Sequence, residues 1–217
     1  MRRYDDSYRE EVTLADGSKV ILRLVKPEDK PLLVNGLEHL SEQARYLRFF
    51  TMKQRLSDEE LRYLTELDQD NHFALGAVRI GSDGQEEGLG VARFVKLASE
   101  PGVAEAAIVV VDECQRKGLG RLLLSRLLGA ARERGVSTFK SEVLTENVAI
   151  RKLLHDLGTI SEQDEGETLI VRLRLPDAHE EGNALYRLLR LAAEGLVRVA
   201  EVLRALSRED QSREDQR

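Results

Sequence analysis

The chain of 217 residues contains no tryptophan, a single cysteine, four prolines and 5% aromatic side chains. With Cys114 alone, an internal disulfide and any cysteine-rich metal site are excluded. The four histidines, His39, His72, His155 and His179, have no ligand spacing, so no metal is expected. No apolar run approaches the ~20 residues that cross a bilayer, and no apolar segment follows the opening Met-Arg-Arg-Tyr-Asp-Asp. Neither a membrane contact nor a signal peptide is expected, and the cytoplasm is the expected compartment. Basic residues are also short: 33 against 39 acidic ones, a net charge of −6. No basic cluster is interleaved with aromatics, so nucleic acid is not an expected partner.

What the chain does contain is a contiguous apolar heart, with 41% hydrophobic residues. Its most informative part runs from Val109-Val110-Val111 through Asp112-Glu113-Cys114-Gln115-Arg116-Lys117 to Gly118-Leu119-Gly120-Arg121. An apolar strand enters a polar turn, passes a Gly-x-Gly and continues as a leucine-rich helix. The first turn of a helix has unpaired N–H groups and a partial positive charge, which suits a pyrophosphate. Glycines remove Cβ atoms where phosphate oxygens come close. A P-loop would need Gly-Lys-Ser/Thr, but Arg121 and Leu122 follow Gly120. A dinucleotide fingerprint would need a third glycine where Leu123 stands.

Periodicity orders the rest. Residues 1–11 are highly charged and read as loose. Lys19 to Val25 alternates as a strand after the turn at Asp16-Gly17. Pro27-Glu28-Asp29 opens a helix whose stripe is Leu32, Leu33, Leu37 and Leu40. Ser41 caps a second helix. Ser57 to Glu60 forms a capping box before Leu61, Leu64 and Leu67. Phe73 to Ile80 and Gly88 to Leu97 read as a hairpin, and Gly102 to Val111 as the central strand. Gly118 to Arg134 is the phosphate helix, with Leu119, Leu123, Leu127 and Ala131 as its core face. Strands at Ser137–Leu144 and Thr168–Leu175 flank a helix at Asn147–Leu157. Crossovers together with hairpins predict an α/β fold with a mixed sheet. The expected domain covers 12–176. A heptad seam of Leu185, Leu189, Ala192, Leu196, Val199, Leu203 and Leu206 marks a C-terminal amphipathic helix over 177–206. It is expected to dock on its own domain or to pair two chains as a homodimer. The tail 207–217, with Ser-Arg-Glu-Asp-Gln repeated, is expected to be disordered.

The string Gln115-x-x-Gly118-x-Gly120 after a valine-rich strand resembles the acetyl-CoA loop of the GCN5-related N-acetyltransferases. Leu144-Thr145-Glu146-Asn147-Val148-Ala149-Ile150, leading to Leu157-Gly158, is similar to the family's second coenzyme A element. Ser41-Glu42-Gln43-Ala44-Arg45-Tyr46-Leu47-Arg48-Phe49-Phe50, His72-Phe73-Ala74-Leu75 and Gly90-Val91-Ala92-Arg93 resemble the bacterial protein-lysine acetyltransferases. The likeness spans roughly Gly17 to Leu175. It implies a single domain with a central splayed sheet flanked by helices. It also implies acetyl-CoA as co-substrate, held by Val109, Val110, Val111, Gln115, Arg116, Lys117, Gly118, Leu119, Gly120, Arg121 and Asn147. Backbone groups of Val109 and Val111 would pair with the pantetheine arm where the central strand splays from 137–144.

The implied reaction moves an acetyl group to a primary amine, with a protein lysine as the expected acceptor. A lysine amine titrates near ~10.4, so presenting it neutral at pH 7 costs roughly 4.6 kcal/mol. A general base is worth about 10²–10⁴-fold. Glu105, between alanines on an apolar strand, is the expected catalytic base, since partial desolvation raises a carboxylate's pKa. The resemblance aligns it with the subgroup's glutamate base. Glu142 on the neighbouring strand is the reserve. The family's usual tyrosine acid is missing between Asn147 and Gly158. Two alternatives stay open: a small-molecule amine acetyltransferase, and a non-catalytic acyl-CoA-binding regulatory protein.

Overall fold

The computed structural model describes residues 3–51 and 53–176. The expected C-terminal helix, its dimer seam and the charged tail lie outside the described residues. Among the described ones, eight strands form one mixed sheet in the order β1-β2-β3-β4-β5-β6-β8-β7. The strands are β1 (Arg9–Thr13), β2 (Lys19–Leu24), β3 (His72–Ile80), β4 (Glu86–Lys96), β5 (Val103–Val110), β6 (Thr138–Leu144), β7 (Thr159–Asp164) and β8 (Thr168–Arg174). Five helices accompany them: α1 (Lys30–Glu38), α2 (Glu42–Phe49), α3 (Asp58–Thr65), α4 (Leu119–Arg132) and α5 (Val148–His155). The expected mixed α/β sheet is present.

Local chemistry sets the helix starts. Ser41 accepts a hydrogen bond from the Ala44 N–H at 3.2 Å, and Ser57 and Glu60 cap each other reciprocally. Asn147 Oδ1 accepts from the Ile150 N–H at 3.2 Å and opens α5. No side chain caps α4; its N-cap is Gly118 at φ 89°.

Burial separates the two faces of the sheet. Leu119, Leu123 and Leu127 of α4 are fully buried with Phe94, Phe73 and Phe139. The rings form a chain with centroids 5.4 Å and 5.9 Å apart. Ile108 and Val110 of β5 look towards this helix, since a Cβ on Gly120 would touch both at 3.8 and 3.9 Å. Strand alternation therefore turns Glu105, Ala107 and Val109 to the other face, where α1, α2 and α3 lie.

Residues 3–11 correct the expectation that 1–11 are loose. From Arg9 the chain is β1, paired with β2 from Arg9↔Arg23 to Thr13↔Lys19, so the sheet begins ahead of position 12. Tyr4 and Tyr8 are buried in the core. Arg134 holds this segment: it donates to the Tyr4 carbonyl at 2.7 Å and the Gln69 carbonyl at 2.7 Å, and lies 4.2 Å above the Phe73 ring. Strand β7, at the other edge, was likewise not expected.

Candidate acyl-transfer site

Strands β5 and β6 run parallel, and their ladder is short. It covers Val103↔Thr138, Ala104↔Phe139 and Glu105↔Lys140, and then the strands part. At the fork the Ser141 hydroxyl donates to the Ala106 carbonyl at 2.8 Å, supplying a partner where no ladder bond continues. Beyond it opens a groove of about 530 Å³, bordered by β5 from Ala106 to Val110, by Ser141, Glu142 and Val143, and by α2, α4 and α5.

Register decides which backbone groups face this opening. The Val111 N–H donates to the Leu89 carbonyl of the β4 side at 3.0 Å. Antiparallel pairing alternates, so Val109, opposite Val91, also spends its backbone groups on β4. The groups turned to the fork belong to Ala106, Ile108 and Val110. This corrects the expectation for Val109 and Val111, whose parity is off by one residue. The Val110 carbonyl accepts from Gln115 Nε2 at 3.2 Å, which leaves its N–H and the Ile108 amide facing the groove.

The turn into α4 is bent by two left-handed residues, Arg116 at φ 59° and Gly118 at φ 89°. A non-glycine residue in that region stores roughly 1–3 kcal/mol of strain, and such residues cluster at functional sites. A Cβ on Gly118 would meet nothing within 4 Å, so the glycine serves the backbone angle and not local packing. Gly120 differs: its Cβ would make ordinary contact with Leu153 at 3.5 Å. Asp112 braces the turn, accepting from Gln115 Nε2 at 3.0 Å and from the Ser41 N–H at the start of α2 at 3.2 Å.

The structure gathers Val109, Val110, Gln115, Arg116, Gly118, Gly120, Arg121 and Asn147 around the groove. Four expected residues do not border it. Leu119 is fully buried under the sheet, and Val111 is buried on the α1 side. Lys117 turns away to Asp16 at 3.0 Å. Glu105 is exposed and sits opposite Lys140 in the last paired row. The desolvation expected for it is therefore not found. Glu142 is also exposed, but it borders the opening. Continuing the register by two residues would set it level with Ala107.

Sequence reasoning did not single out Ser141, Leu47 or Arg48. Ser141 has no signature, because a serine in a strand is unremarkable until the neighbouring strand departs. Leu47 and Arg48 lay inside the motif from Ser41 to Phe50, where acceptor contacts were expected near Arg45–Phe50 with no role for either residue by itself; they line the groove from α2. Behind them, Arg93 is 7% exposed and donates to the Leu64 carbonyl at 2.8 Å. Its other nitrogen lies 3.2 Å from His72 Nε2, which must accept, since a guanidinium only donates. Burial, reinforced by the Arg93 charge, lowers His72 to about 4, so the ring is neutral at pH 7. Among the described residues no cluster of histidine, cysteine and acidic groups could hold a metal, and no helix is long and apolar enough to cross a membrane.

A parted parallel strand pair beside an uncapped, glycine-started helix defines an acyltransferase of the coenzyme A-dependent kind. The profile of the Acetyltransferase (GNAT) family matches residues 34–159, and the chain belongs to that family. Among its relatives, Acetyltransferase Pat of Mycolicibacterium smegmatis is 30% identical over 172 residues, 76% of this chain and 48% of that protein. The chain thus spans about half the length of that relative. Acetyltransferase PA5475 of Pseudomonas aeruginosa is 28% identical over 163 residues, 75% of this chain and 87% of that protein. Of solved structures, the GNAT domain of S. lividans PAT superposes with a TM-score of 0.71 at 28% identity, covering 79% of this chain and 99% of that one. The expected family is borne out, together with the likeness to its bacterial protein acetyltransferases.

Proposed function

We propose that this enzyme transfers an acetyl group from acetyl-CoA to a primary amine, with a protein lysine as acceptor. The observation that carries the reading is the fork between β5 and β6 with the left-handed Gly118 at its end. The pyrophosphate would lie on the first-turn N–H groups of α4, with Arg116 and Arg121 beside it. The pantetheine amides would take the place of the missing β6 ladder, pairing with Ile108 and Val110. The Asn147 amide nitrogen, whose partner oxygen is spent on capping α5, is left to donate to the same arm. The S. lividans and M. smegmatis likenesses support a protein acceptor.

The thioester carbonyl would then stand near Ala107 and Ile108. The amine nitrogen attacks it and the C–S bond breaks. Coenzyme A leaves as a thiolate, which at a pKa near ~8.5 needs no strong acid. A groove-facing N–H of β5 would receive the charge that develops on the carbonyl oxygen. Glu105 is the proposed base, on the α1–α3 face and drawing the ammonium proton through a water. A second reading gives that task to Glu142, because it borders the groove itself.

Two variants separate them. Glu105→Gln is expected to lower kcat by roughly tenfold or more with acetyl-CoA affinity unchanged, and Glu142→Gln to leave kcat within about threefold. The reverse order would move the base to β6. The parent assay follows thiol release from acetyl-CoA with lysine-bearing proteins and a panel of small amines. Turnover confined to small amines would overturn the protein acceptor, and tight binding without turnover would favour a regulatory role.

A further inference from the structure

On the α1–α3 side of the sheet lies a second cavity, about 90 Å³ in volume, which meets the groove at Arg48 and Val109. Its walls are largely aliphatic, yet three arginines border it. Arg23 is neutralised: it donates to both Asp29 oxygens at 2.8 Å and to Glu86 at 2.5 Å. Arg93 and Arg48 are not. Arg93 meets only a carbonyl and a neutral imidazole, and Arg48 rests 5.1 Å from the Phe49 ring centroid. Among the described residues neither has a carboxylate partner. Both cations border the same cavity, and burial, with the Arg48 charge added to it, lowers Arg93 to about 10.

Two like charges set in an apolar wall without a counter-charge are costly. A fold bears that cost where an anion arrives to offset it. The planar guanidinium fork matches a carboxylate, and the volume suits a short chain rather than a ring. In register, Arg93 stands directly opposite Ala107, the β5 residue level with the fork. An anion held there would be carried by whatever reacts at the fork.

We propose that Arg48 and Arg93 form a receptor for an aliphatic carboxylate that enters beside the acyl groove. The inference rests on reading the groove as an acyl-CoA site. The carboxylate has two sources to tell apart: the far end of a dicarboxylic acyl chain that coenzyme A carries in addition to acetyl, or an acidic group beside the acceptor lysine, for which 3-aminopropanoate is the probe.

Calorimetry on the full chain distinguishes these. Succinyl-CoA is compared with butyryl-CoA, and 3-aminopropanoate with propylamine in the presence of coenzyme A. In one pair the carboxylate-bearing member is expected to bind roughly tenfold tighter or better, because a site built around charged donors rejects a partner lacking the acceptor. Arg48→Met, which keeps the stem and removes the charge, should bring that ratio close to one. Arg93→Lys, which keeps charge but not the fork, should lower it. Preference in the first pair assigns the acyl chain, and preference in the second the acceptor. Equal affinities within both pairs, or a preference that survives both variants, would overturn the receptor. Loss of the underlying acyl-CoA reading would show differently, as no binding of acetyl-CoA or butyryl-CoA at all.

Discussion

Gly118 and Gly120 look alike in sequence and differ in what the fold asks of them. Gly118 sits at φ 89° with open space where a Cβ would go, whereas Gly120 has no such backbone demand and lies in ordinary contact range of Leu153. An alanine at 118 would bear roughly 1–2 kcal/mol of left-handed strain, relieved by reshaping the turn. Gly118→Ala is expected to weaken acetyl-CoA binding by roughly tenfold. Gly120→Ala should bind within about threefold of the parent, since its Cβ fits. Calorimetry on both variants checks the pair, and equal losses would contradict the assignment of the turn. His72 offers a test of a different kind. Its folded pKa of about 4 lies below the ordinary 6.5, so the unfolded chain binds the extra proton between those values. Stability is complete above pH 6.5 and falls as pH drops through that window. The carboxylates held low, such as Glu10 at about 2 beneath Arg126, add their loss only below about pH 4.5. Melting temperature between pH 7 and 5 should decline in the parent and decline less in His72→Gln, whose amide oxygen still accepts from Arg93. Parallel curves would remove His72 as the cause.

Elements read from the sequence are those with a buried stripe or a cap. Helix α4 carries Leu119, Leu123 and Leu127 on one face, and α3 begins at a complete capping box, so both were legible. Strands β1 and β7 were not. Arg-Glu-Glu-Val-Thr and Thr-Ile-Ser-Glu-Gln-Asp alternate too weakly, because edge strands have one paired neighbour and keep charge on their free side. The packing that fixes β1 comes from outside it, through Tyr4, Tyr8 and the Arg134 guanidinium. Arg134→Ala is expected to cost roughly 2–4 kcal/mol by abandoning charged bonds to two distant carbonyls and the stack on Phe73. Denaturant unfolding would register the loss; a change below about 0.5 kcal/mol would mean the N-terminal segment is held by the tyrosines alone.

At the scale of the molecule, the glycine turn into α4 was legible because it is local: Gln115, Gly118 and Gly120 lie within six positions. The fork was implied by the family likeness, but its parity was not. Which of two neighbouring valines turns its amide to the opening depends on the bond from Val111 to Leu89, a contact between strands that no local pattern encodes. The same holds for Arg48 and Arg93, which lie 45 residues apart in number and come to border one cavity only once α2 covers the sheet. The central claim is that an acyl-CoA completes the sheet where β6 departs from β5. Residue-resolved amide exchange with and without acetyl-CoA tests it most directly. Protection should rise at Ile108 and Val110, whose N–H groups face the fork, and stay level at Val109 and Val111, which are already bonded on the β4 side. Unchanged exchange at Ile108 and Val110 under saturating acetyl-CoA would contradict it.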